Sequence, residues 1–157
     1  MITVLFVCLG NICRSPMAEA VFQHMVEEAG LEEKIWVDSA GTGGWHVGEK
    51  AHYGTRQVLA KHRIPYNGRA RQITPDDMTL PDTYIIAMDE DNISDLQLRY
   101  GQHPHLYRLL DFARKRNEKD VPDPYYTGQF DAVYELVVAG CRGLLDYIRE
   151  QEQFKSQ

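Results

Sequence analysis

The chain opens with a strand, a turn-forming segment and a helix in direct succession, and this order constrains the fold. Residues 2–7 form a short apolar run of β-branched and aromatic side chains, typical of a buried parallel strand. Residues 16–29 show helical spacing, with Ser15 as the expected N-cap and Gly30 as the expected stop. A buried parallel strand followed at once by a helix predicts a crossover into a second parallel strand.

Strand and helix patterns alternate along the rest of the chain. Further strands are expected at residues 35–37, 84–88 and 106–110. Helices are expected at residues 54–62, after Thr74-Pro75, at 91–100 and at 130–151, with a charged loop at 111–125. This alternation predicts an α/β fold, a parallel sheet with helices on both faces, in which ligands bind beyond the carboxyl ends of the strands. The 157 residues suit one domain spanning positions 1–157.

Composition excludes several classes of protein. The net charge of −6 argues against non-specific nucleic-acid binding. We expect neither a signal peptide nor a membrane span, and therefore a cytoplasmic location without membrane partners. Three cysteines do not make a disulfide framework and are treated as individual thiols. Cys8 and Cys13 lack zinc-site spacing, and His103 and His105 favour a solvated loop, so we expect no metal and no cofactor.

The segment from Cys8 to Ser15, the cysteine loop, joins a thiol, turn-forming residues and a fixed positive charge. Its amides precede a helix N-terminus, where unpaired N–H groups and the helix dipole favour an anion. Gly10 and Asn11 tolerate the positive φ that curls such a loop. The same field stabilises a thiolate, and the Arg14 fork can hold two phosphoryl oxygens. A cysteine that merely packs at a strand end is the alternative, but the combination favours attack by Cys8 on phosphorus.

A candidate general acid lies in the segment at residues 121–130, which reads VPDPYYTGQF. Asp123 stands between two prolines that stiffen its backbone, and a positioned acid contributes about 10²–10⁴-fold to such a reaction. We expect Asp123 to protonate the leaving oxygen and then to activate water against a phosphocysteine. We expect Tyr125 and Tyr126, with Trp45 of the glycine-rich loop, to wall a slot for an aromatic ring.

The segments CLGNICRSPMAEA and DPYY, in this order, resemble the low-molecular-weight protein tyrosine phosphatases, over essentially the full chain. The intervening segments DSAGTGGWHVG, GRARQIT and YIIAMDEDN fit as well. The resemblance implies a single-domain, four-stranded parallel sheet of flavodoxin-like kind, flanked by helices, with a phosphate-binding loop after the first strand. It also implies metal-free, two-step hydrolysis of phosphotyrosine monoesters through a phosphocysteine intermediate.

By motif position, the resemblance implies that Cys8 is the nucleophile, that Arg14 binds the phosphoryl group and that Asp123 is acid and base. The remaining residues of the phosphate-binding loop are Leu9, Gly10, Asn11, Ile12, Cys13 and Ser15. The resemblance further implies two supporting roles.

The first supporting role is a hydrogen-bond network of Asn11, Ser15 and Ser39 that shapes the loop and supports the thiolate. The second is the orientation of Arg14 by Asp89. Eukaryotic members often place a histidine of this network where this chain has Gly68. The network is therefore expected to be smaller here, or to be completed by water.

Two other functions remain open. Some family members act on phosphoarginine and carry threonine at the position of Ile12, so isoleucine favours phosphotyrosine, with a protein-arginine phosphatase as the alternative. A non-catalytic phosphoprotein-binding module would keep Arg14 but would not need Cys8 or Asp123. The related arsenate reductases need two further cysteines, and Cys141 is expected on the core face of the last helix instead.

Cys13 raises a question of regulation, because only four residues separate it from Cys8. A neighbouring thiol can trap an oxidised cysteine as a disulfide. We therefore expect Cys13 to be the redox partner of Cys8, and the resemblance supports reversible redox control. The expected partners are tyrosine-phosphorylated proteins or peptides, bound by a monomer.

Overall fold

One parallel sheet organises the molecule. The computed structural model describes residues 1–114 and 116–154. Its strands are β1 (Ile2–Cys8), β2 (Ile35–Gly41), β3 (Thr83–Ala87) and β4 (Leu106–Arg108). All pair in parallel, in the order β2-β1-β3-β4. This is the expected flavodoxin-like sheet, and its order reverses between β1 and β3, where such folds leave a crevice at the carboxyl ends.

Helices follow the strands in the expected alternation. In the described part of the chain they are α1 (Arg14–Glu28), α2 (Tyr53–Lys61), α3 (Pro75–Thr79), α4 (Glu90–Tyr100), α5 (Pro124–Thr127) and α6 (Phe130–Glu152). A 3-10 turn covers Leu109–Phe112. None of the described helices has the length and apolar character needed to cross a bilayer.

The sheet is buried on both faces, as predicted. Val4, Phe6 and Cys8 of β1 belong to a large core cluster that includes α1 and α6, whereas Leu5 and Val7 belong to a smaller cluster with α4. This alternation follows from the pleat of a strand, and burial on both faces explains why the run is continuously apolar. Cys8 therefore ends β1 between the sheet and α1.

The long helix α6 carries the predicted core-facing stripe. Val133, Val137, Cys141, Leu144 and Ile148 are fully buried. Cys141 thus packs in the core, at the expected position. Close packing continues on the 3-10 turn, since a Cβ added at Gly143 would lie 1.7 Å from the carbonyl oxygen of Phe112.

Three local expectations were wrong. The first helix starts at Arg14 with Cys13 at the N-cap position, and no side chain caps it, so Ser15 is not the N-cap. The fourth strand ends at Arg108 because the chain tightens into the 3-10 turn. The loop expected at 111–125 gives way at its end to a short helix, α5, which starts at Pro124 because proline suits the first helical position.

Candidate active site

The cysteine loop is held from behind by its carbonyl groups. Four of them accept hydrogen bonds from other segments: Cys8 O from Thr42 N, Leu9 O from Gly43 N, Ile12 O from His52 N and Cys13 O from Thr55 Oγ1. Among the hydrogen bonds described outside helices and strands, none is donated by an amide between residues 10 and 14. With carbonyls bound outward and amides left open, the loop forms a nest that favours an anion.

Asn11 fixes the curl of this loop. It has φ 57°, in the left-handed region, and is almost fully buried. Its Nδ2 donates to Ser15 Oγ at 2.8 Å and to Ser39 Oγ at 3.0 Å, and its Oδ1 accepts from the amide of Arg71 at 3.0 Å. Asparagine tolerates this backbone region better than most residues, and its three hydrogen bonds hold it there. Of the two residues that tolerate a positive φ, Asn11 adopts one and Gly10 does not.

The Cys8 thiol joins this network through Ser15. Cys8 Sγ lies 3.0 Å from Ser15 Oγ, and both side chains are buried. Ser15 lies within the first turn of α1, where its hydroxyl faces the sulfur instead of capping the helix. A hydroxyl that donates to sulfur favours the thiolate form of the cysteine.

Arg14 presents one edge of its guanidinium group to the site. Its side chain is only 3 % exposed. Nη1 is engaged by Asp89 Oδ2 at 2.5 Å and by the carbonyl of Val121 at 3.0 Å. Nη2 lies 3.5 Å from Asp123 Oδ2, and Nε has no partner among the described residues. The Nε–Nη2 edge can therefore receive two oxygens of one anion.

The charge on Arg14 is secure. Burial acts to lower the pKa of Arg14, but the Cys8, Asp89 and Asp123 groups outweigh burial and leave that pKa raised. Arg14 therefore stays a cation in this buried position. Asp89 is also the N-cap of α4, where it accepts from the amide of Asn92, so this residue, two positions after β3, anchors both a helix and Arg14.

Asp123 stands at the rim of the same site. It is the N-cap of α5, with Oδ1 accepting from the amide of Tyr125 at 3.1 Å. Its loop is tied to the sheet because Val121 donates to the carbonyl of Met88 and accepts from Arg14. Oδ2 is left facing Arg14, and its half-buried carboxyl reaches both the anion nest and solvent.

A cavity of about 400 Å³ opens above the cysteine loop. The predicted residues that line it are Cys8, Leu9, Gly10, Ile12, Cys13, Arg14, Trp45, Asp123, Tyr125 and Tyr126. Of the remaining predicted residues, Ser15 contacts the lining residue Cys8 and Asp89 contacts the lining residue Arg14. Asn11 hydrogen-bonds Ser15, and Ser39 hydrogen-bonds Asn11, so both join the cavity one step further back. The structure thus brings every predicted site residue to one edge of the sheet.

The rim of the cavity is aromatic. Trp45 is 71 % exposed, and its ring covers Gly43, where a Cβ would lie 1.8 Å from the ring. Tyr125 and Tyr126 are also exposed and pack edge to face at 5.3 Å between ring centroids. The walls are therefore flat and apolar above a charged floor, an arrangement that suits an aromatic group carrying an anion.

Two histidines of this rim were missed. His46 lines the cavity and pairs through Nδ1 with Glu49, and His52 packs against Tyr125 at 5.9 Å between ring centroids. Little in the sequence indicated that these histidines belong to the site. His46 is adjacent to Trp45, which was predicted, but no motif includes His52.

Cys13 and Ile12 are both packed beneath the rim. They form a small buried cluster with Ala70, against which Phe130 packs. Burial, with smaller effects of Asp123 and Cys8, raises the pKa of Cys13 to about 12 against the opposing effect of Arg14. Cys13 is therefore a protonated thiol near neutral pH.

Residues 103 and 105 do not form a metal cluster. The amide of His105 donates to Nδ1 of His103, and the His105 ring packs on Tyr84. Among the described residues, no group of three or more histidine, cysteine or acidic side chains could hold a metal ion.

Fold and site together define a class: α/β proteins that place a cysteine and an arginine in an anion-binding loop at the switch point of a parallel sheet. A family model described as low molecular weight phosphotyrosine protein phosphatase matches residues 3–154. The chain therefore belongs to the low molecular weight protein-tyrosine-phosphatase family, which is a family of hydrolases.

Individual relatives agree with this assignment. The Bacillus subtilis low molecular weight protein-tyrosine-phosphatase YfkJ is 50 % identical over 98 % of this chain and 99 % of its own. Its crystal structure matches with a TM-score of 0.92 over 96 % of each chain. The protein-tyrosine-phosphatase PtpA of Staphylococcus epidermidis is 45 % identical over the full length of both chains. A drosophila arginine phosphatase structure is 32 % identical, with a TM-score of 0.82 over 93 % of this chain and 97 % of its own.

Proposed function

We propose that this chain hydrolyses phosphotyrosine in proteins or peptides through a phosphocysteine intermediate. The observation that carries the proposal is the open Nε–Nη2 edge of Arg14 beside the unpaired amides of the cysteine loop. Both features suit an anion that has three equatorial oxygens, and Cys8 lies at the start of the same loop.

In the first step, the Cys8 thiolate attacks phosphorus while the amides of the loop and Arg14 hold the equatorial oxygens. The bond from phosphorus to the phenolic oxygen breaks, and Asp123 gives that oxygen a proton. A phenol has an ordinary pKa of about 10, so its departure without a proton is slow near neutral pH.

In the second step, Asp123 takes a proton from water, which attacks the phosphocysteine. The sulfur–phosphorus bond breaks, inorganic phosphate leaves, and the Cys8 thiolate returns. Ser15 supports the departing thiolate through its 3.0 Å contact with the sulfur. The proton that Asp123 gives in the first step is thus replaced in the second.

The aromatic rim supports the choice of phosphotyrosine over shorter phosphoesters. Cys8 is only 2 % exposed, whereas Trp45 and Tyr125 stand above it in solvent. A flat ring can pass between these walls, and its length brings the phosphate down to the loop. The apolar Ile12 in the floor offers no partner for a guanidinium group, which disfavours phosphoarginine.

The three cysteines are free and buried, which favours a protein that works in a reducing compartment. We therefore propose a cytoplasmic location, and we take a monomer as the active form. The same proposal assigns one phosphatase domain to residues 1–157.

The experiment measures phosphate release from phosphotyrosine, phosphoserine and phosphoarginine peptides with EDTA present. Wild type is compared with Cys8→Ser, with Asp123→Asn and with Asp131→Asn, which changes an exposed aspartate outside the lining of the cavity. We expect phosphotyrosine to be the preferred substrate, no turnover by Cys8→Ser, a loss of about 10²–10⁴-fold in Asp123→Asn and full activity in Asp131→Asn. Phosphate bound without turnover of any peptide would favour a binding module, and phosphoarginine as the best substrate would refute the assignment of Ile12.

A further inference from the structure

The network behind the cysteine loop does not stop at Ser39. Ser39 Oγ donates to Glu19 Oε1 at 2.6 Å, and the hydroxyl of Tyr66 donates to the same oxygen at 2.9 Å. Glu19 lies one helical turn after Ser15, on the same side of α1. The chain of contacts therefore runs from Cys8 through Ser15, Asn11 and Ser39 to a carboxylate, a group absent from the sequence-based network.

Tyr66 occupies the space that a side chain at position 68 would need. A Cβ added at Gly68 would lie 2.3 Å from the Tyr66 hydroxyl and 2.6 Å from Cζ of its ring. The network was expected to be smaller or completed by water because of this glycine. Instead, the Tyr66 hydroxyl reaches Glu19 across the glycine, so the absent side chain and the tyrosine are linked features.

The two ends of the network fix different parts of it: the amide of Arg71 sets the orientation of Asn11, and Glu19 sets that of Ser39. The amide of Arg71 can only donate, so the Asn11 atom that faces it is the oxygen, and Nδ2 faces the two serines. An ionised carboxylate can only accept, so Ser39 must direct its hydrogen at Glu19 and use a lone pair for Asn11.

These directions determine what Ser15 offers to the sulfur. Asn11 Nδ2 donates to Ser15 Oγ at 2.8 Å, which occupies a lone pair of that oxygen. The hydroxyl hydrogen of Ser15 is then free to point at Cys8 Sγ, 3.0 Å away. A serine in this state stabilises the thiolate, whereas a serine whose hydrogen pointed elsewhere would not.

We propose that Tyr66 is a positioning residue for Cys8: by donating to Glu19, it keeps that carboxylate the acceptor that holds Ser39 where it receives a hydrogen bond from Asn11, and Asn11 in turn holds Ser15 against the sulfur. The inference rests on the proposed function, because it concerns the reactivity of the proposed nucleophile. It gives Gly68 a role as well, since any side chain there would displace the Tyr66 hydroxyl.

The surroundings of Glu19 make this support necessary. Burial raises the pKa of Glu19, and the donors Ser39 and Tyr66 act to lower it. The nearby charges act in opposite directions, Asp38 raising this pKa and Arg71 lowering it. Without the Tyr66 hydroxyl, the pKa of Glu19 rises further, so the carboxyl gains a proton at a higher pH and can then donate to Ser39 instead of accepting. Ser39 then loses the acceptor that holds it beside Asn11, and Asn11 holds Ser15 less firmly against the sulfur.

The test uses Tyr66→Phe, which removes one oxygen and keeps the ring. The matched control is Tyr84→Phe, because Tyr84 donates to Glu152 at 2.7 Å near the amino end of β3, away from the cavity. The readout is the rate of Cys8 alkylation by iodoacetamide against pH, followed by mass spectrometry. Cys13 does not interfere, because burial raises its pKa to about 12.

We expect the pH midpoint of Cys8 alkylation in Tyr66→Phe to rise by about half a unit to one unit, a threefold to tenfold loss of rate on the acid side. We expect kcat for a phosphotyrosine peptide to fall most at acid pH, with KM within about twofold. Tyr84→Phe should match wild type in both measurements.

Gly68→Ala provides a second variant, because its Cβ would force the Tyr66 hydroxyl away from Glu19. It should shift the alkylation midpoint in the same direction. If the midpoints of Tyr66→Phe and Gly68→Ala coincide with that of Tyr84→Phe, the inference is refuted. Alkylation needs no substrate, so a shifted midpoint in a protein without phosphatase activity would refute the proposed function and support the inference.

Discussion

Replacing Asp89 by asparagine removes one charge from a buried ion pair and nearly preserves the shape of the side chain. In the native protein one carboxylate oxygen accepts from Arg14 Nη1 and the other accepts from the amide of Asn92. An amide has a single oxygen, so it can serve Arg14 or the helix N-terminus, but not both. The variant therefore loses the charge and one hydrogen bond.

The structure sets the size of the effect. Two unit charges about 4 Å apart interact by about 4 kcal/mol at an effective dielectric constant of about 20. Asp89 is 20 % exposed and Arg14 is 3 % exposed, so the aspartate regains some solvation when the pair is broken, but the arginine regains little. Arg14 also keeps the carbonyl of Val121. We expect the free energy of unfolding to fall by about 2 kcal/mol, between the values for exposed and for fully buried pairs.

Urea unfolding at pH 7 measures this change, provided that the m value is the same in both proteins. The control is Asp131→Asn, which breaks the exposed pair with Lys61 and should cost no more than about 0.5 kcal/mol. The kcat/KM of Asp89→Asn should also fall about tenfold or more, because Arg14 loses its fixed orientation. An unfolding free energy within about 0.5 kcal/mol of wild type would show that the pair behaves as a surface contact, and would refute the reasoning.

Oxidation, substrate preference and acid stability should each respond to a single side chain. After peroxide treatment, the formation of a disulfide between Cys13 and Cys8 should speed up about tenfold per pH unit above pH 7, because burial raises the pKa of Cys13 to about 12 and only its thiolate attacks. If Cys13→Ser and wild type recover the same activity after thiol treatment, this role of Cys13 is refuted. Ile12→Thr should raise the ratio of phosphoarginine to phosphotyrosine kcat/KM about tenfold in the peptide assay, and an unchanged ratio would contradict the assignment of Ile12. Burial acts to raise the pKa of Asp77, but hydrogen bonds from Arg71 and Thr74 outweigh it and lower that pKa below its ordinary 3.8. The ionised Asp77 therefore stabilises the folded protein fully above pH 3.8, and this stabilisation is lost as the pH falls through the lower pKa of the folded state. Acid unfolding of Asp77→Asn should therefore show a shallower loss of stability than wild type, and an identical slope would refute the assignment.

Much of the fold and site was predictable, because local patterns determine them. The apolar run of β1, the turn residues and the start of α1 are contiguous, so the cysteine loop could be recognised within one segment. The starting point of α1 was not predictable, since Ser15 is a good N-cap by residue type, but its hydroxyl is engaged with the sulfur. At this position the contact between the Ser15 hydroxyl and the Cys8 sulfur outweighs the preference of serine for the N-cap.

The residues that were missed enter the site through tertiary contacts. Tyr66 lies in an irregular segment between α2 and α3, and its hydroxyl meets Glu19 only after that segment packs on α1. Glu19 carried one signal, its position four residues after Ser15. That spacing is equally typical of a solvated helix face and of a buried network, and only the tertiary structure shows which of the two is present.

Because the carbonyls of the cysteine loop are hydrogen-bonded to other segments, anion binding by this loop depends on the tertiary structure. Thr42, Gly43, His52 and Thr55, which hold those carbonyls, come from segments far along the chain. The nest exists only while those segments are docked, so a tetrahedral oxyanion binds the native state and not the opened one. Inorganic phosphate or vanadate should raise the melting temperature by mass action, and saturating anion should slow proteolysis between residues 41 and 55. The affinity for such an anion therefore measures how completely these segments are docked on the cysteine loop.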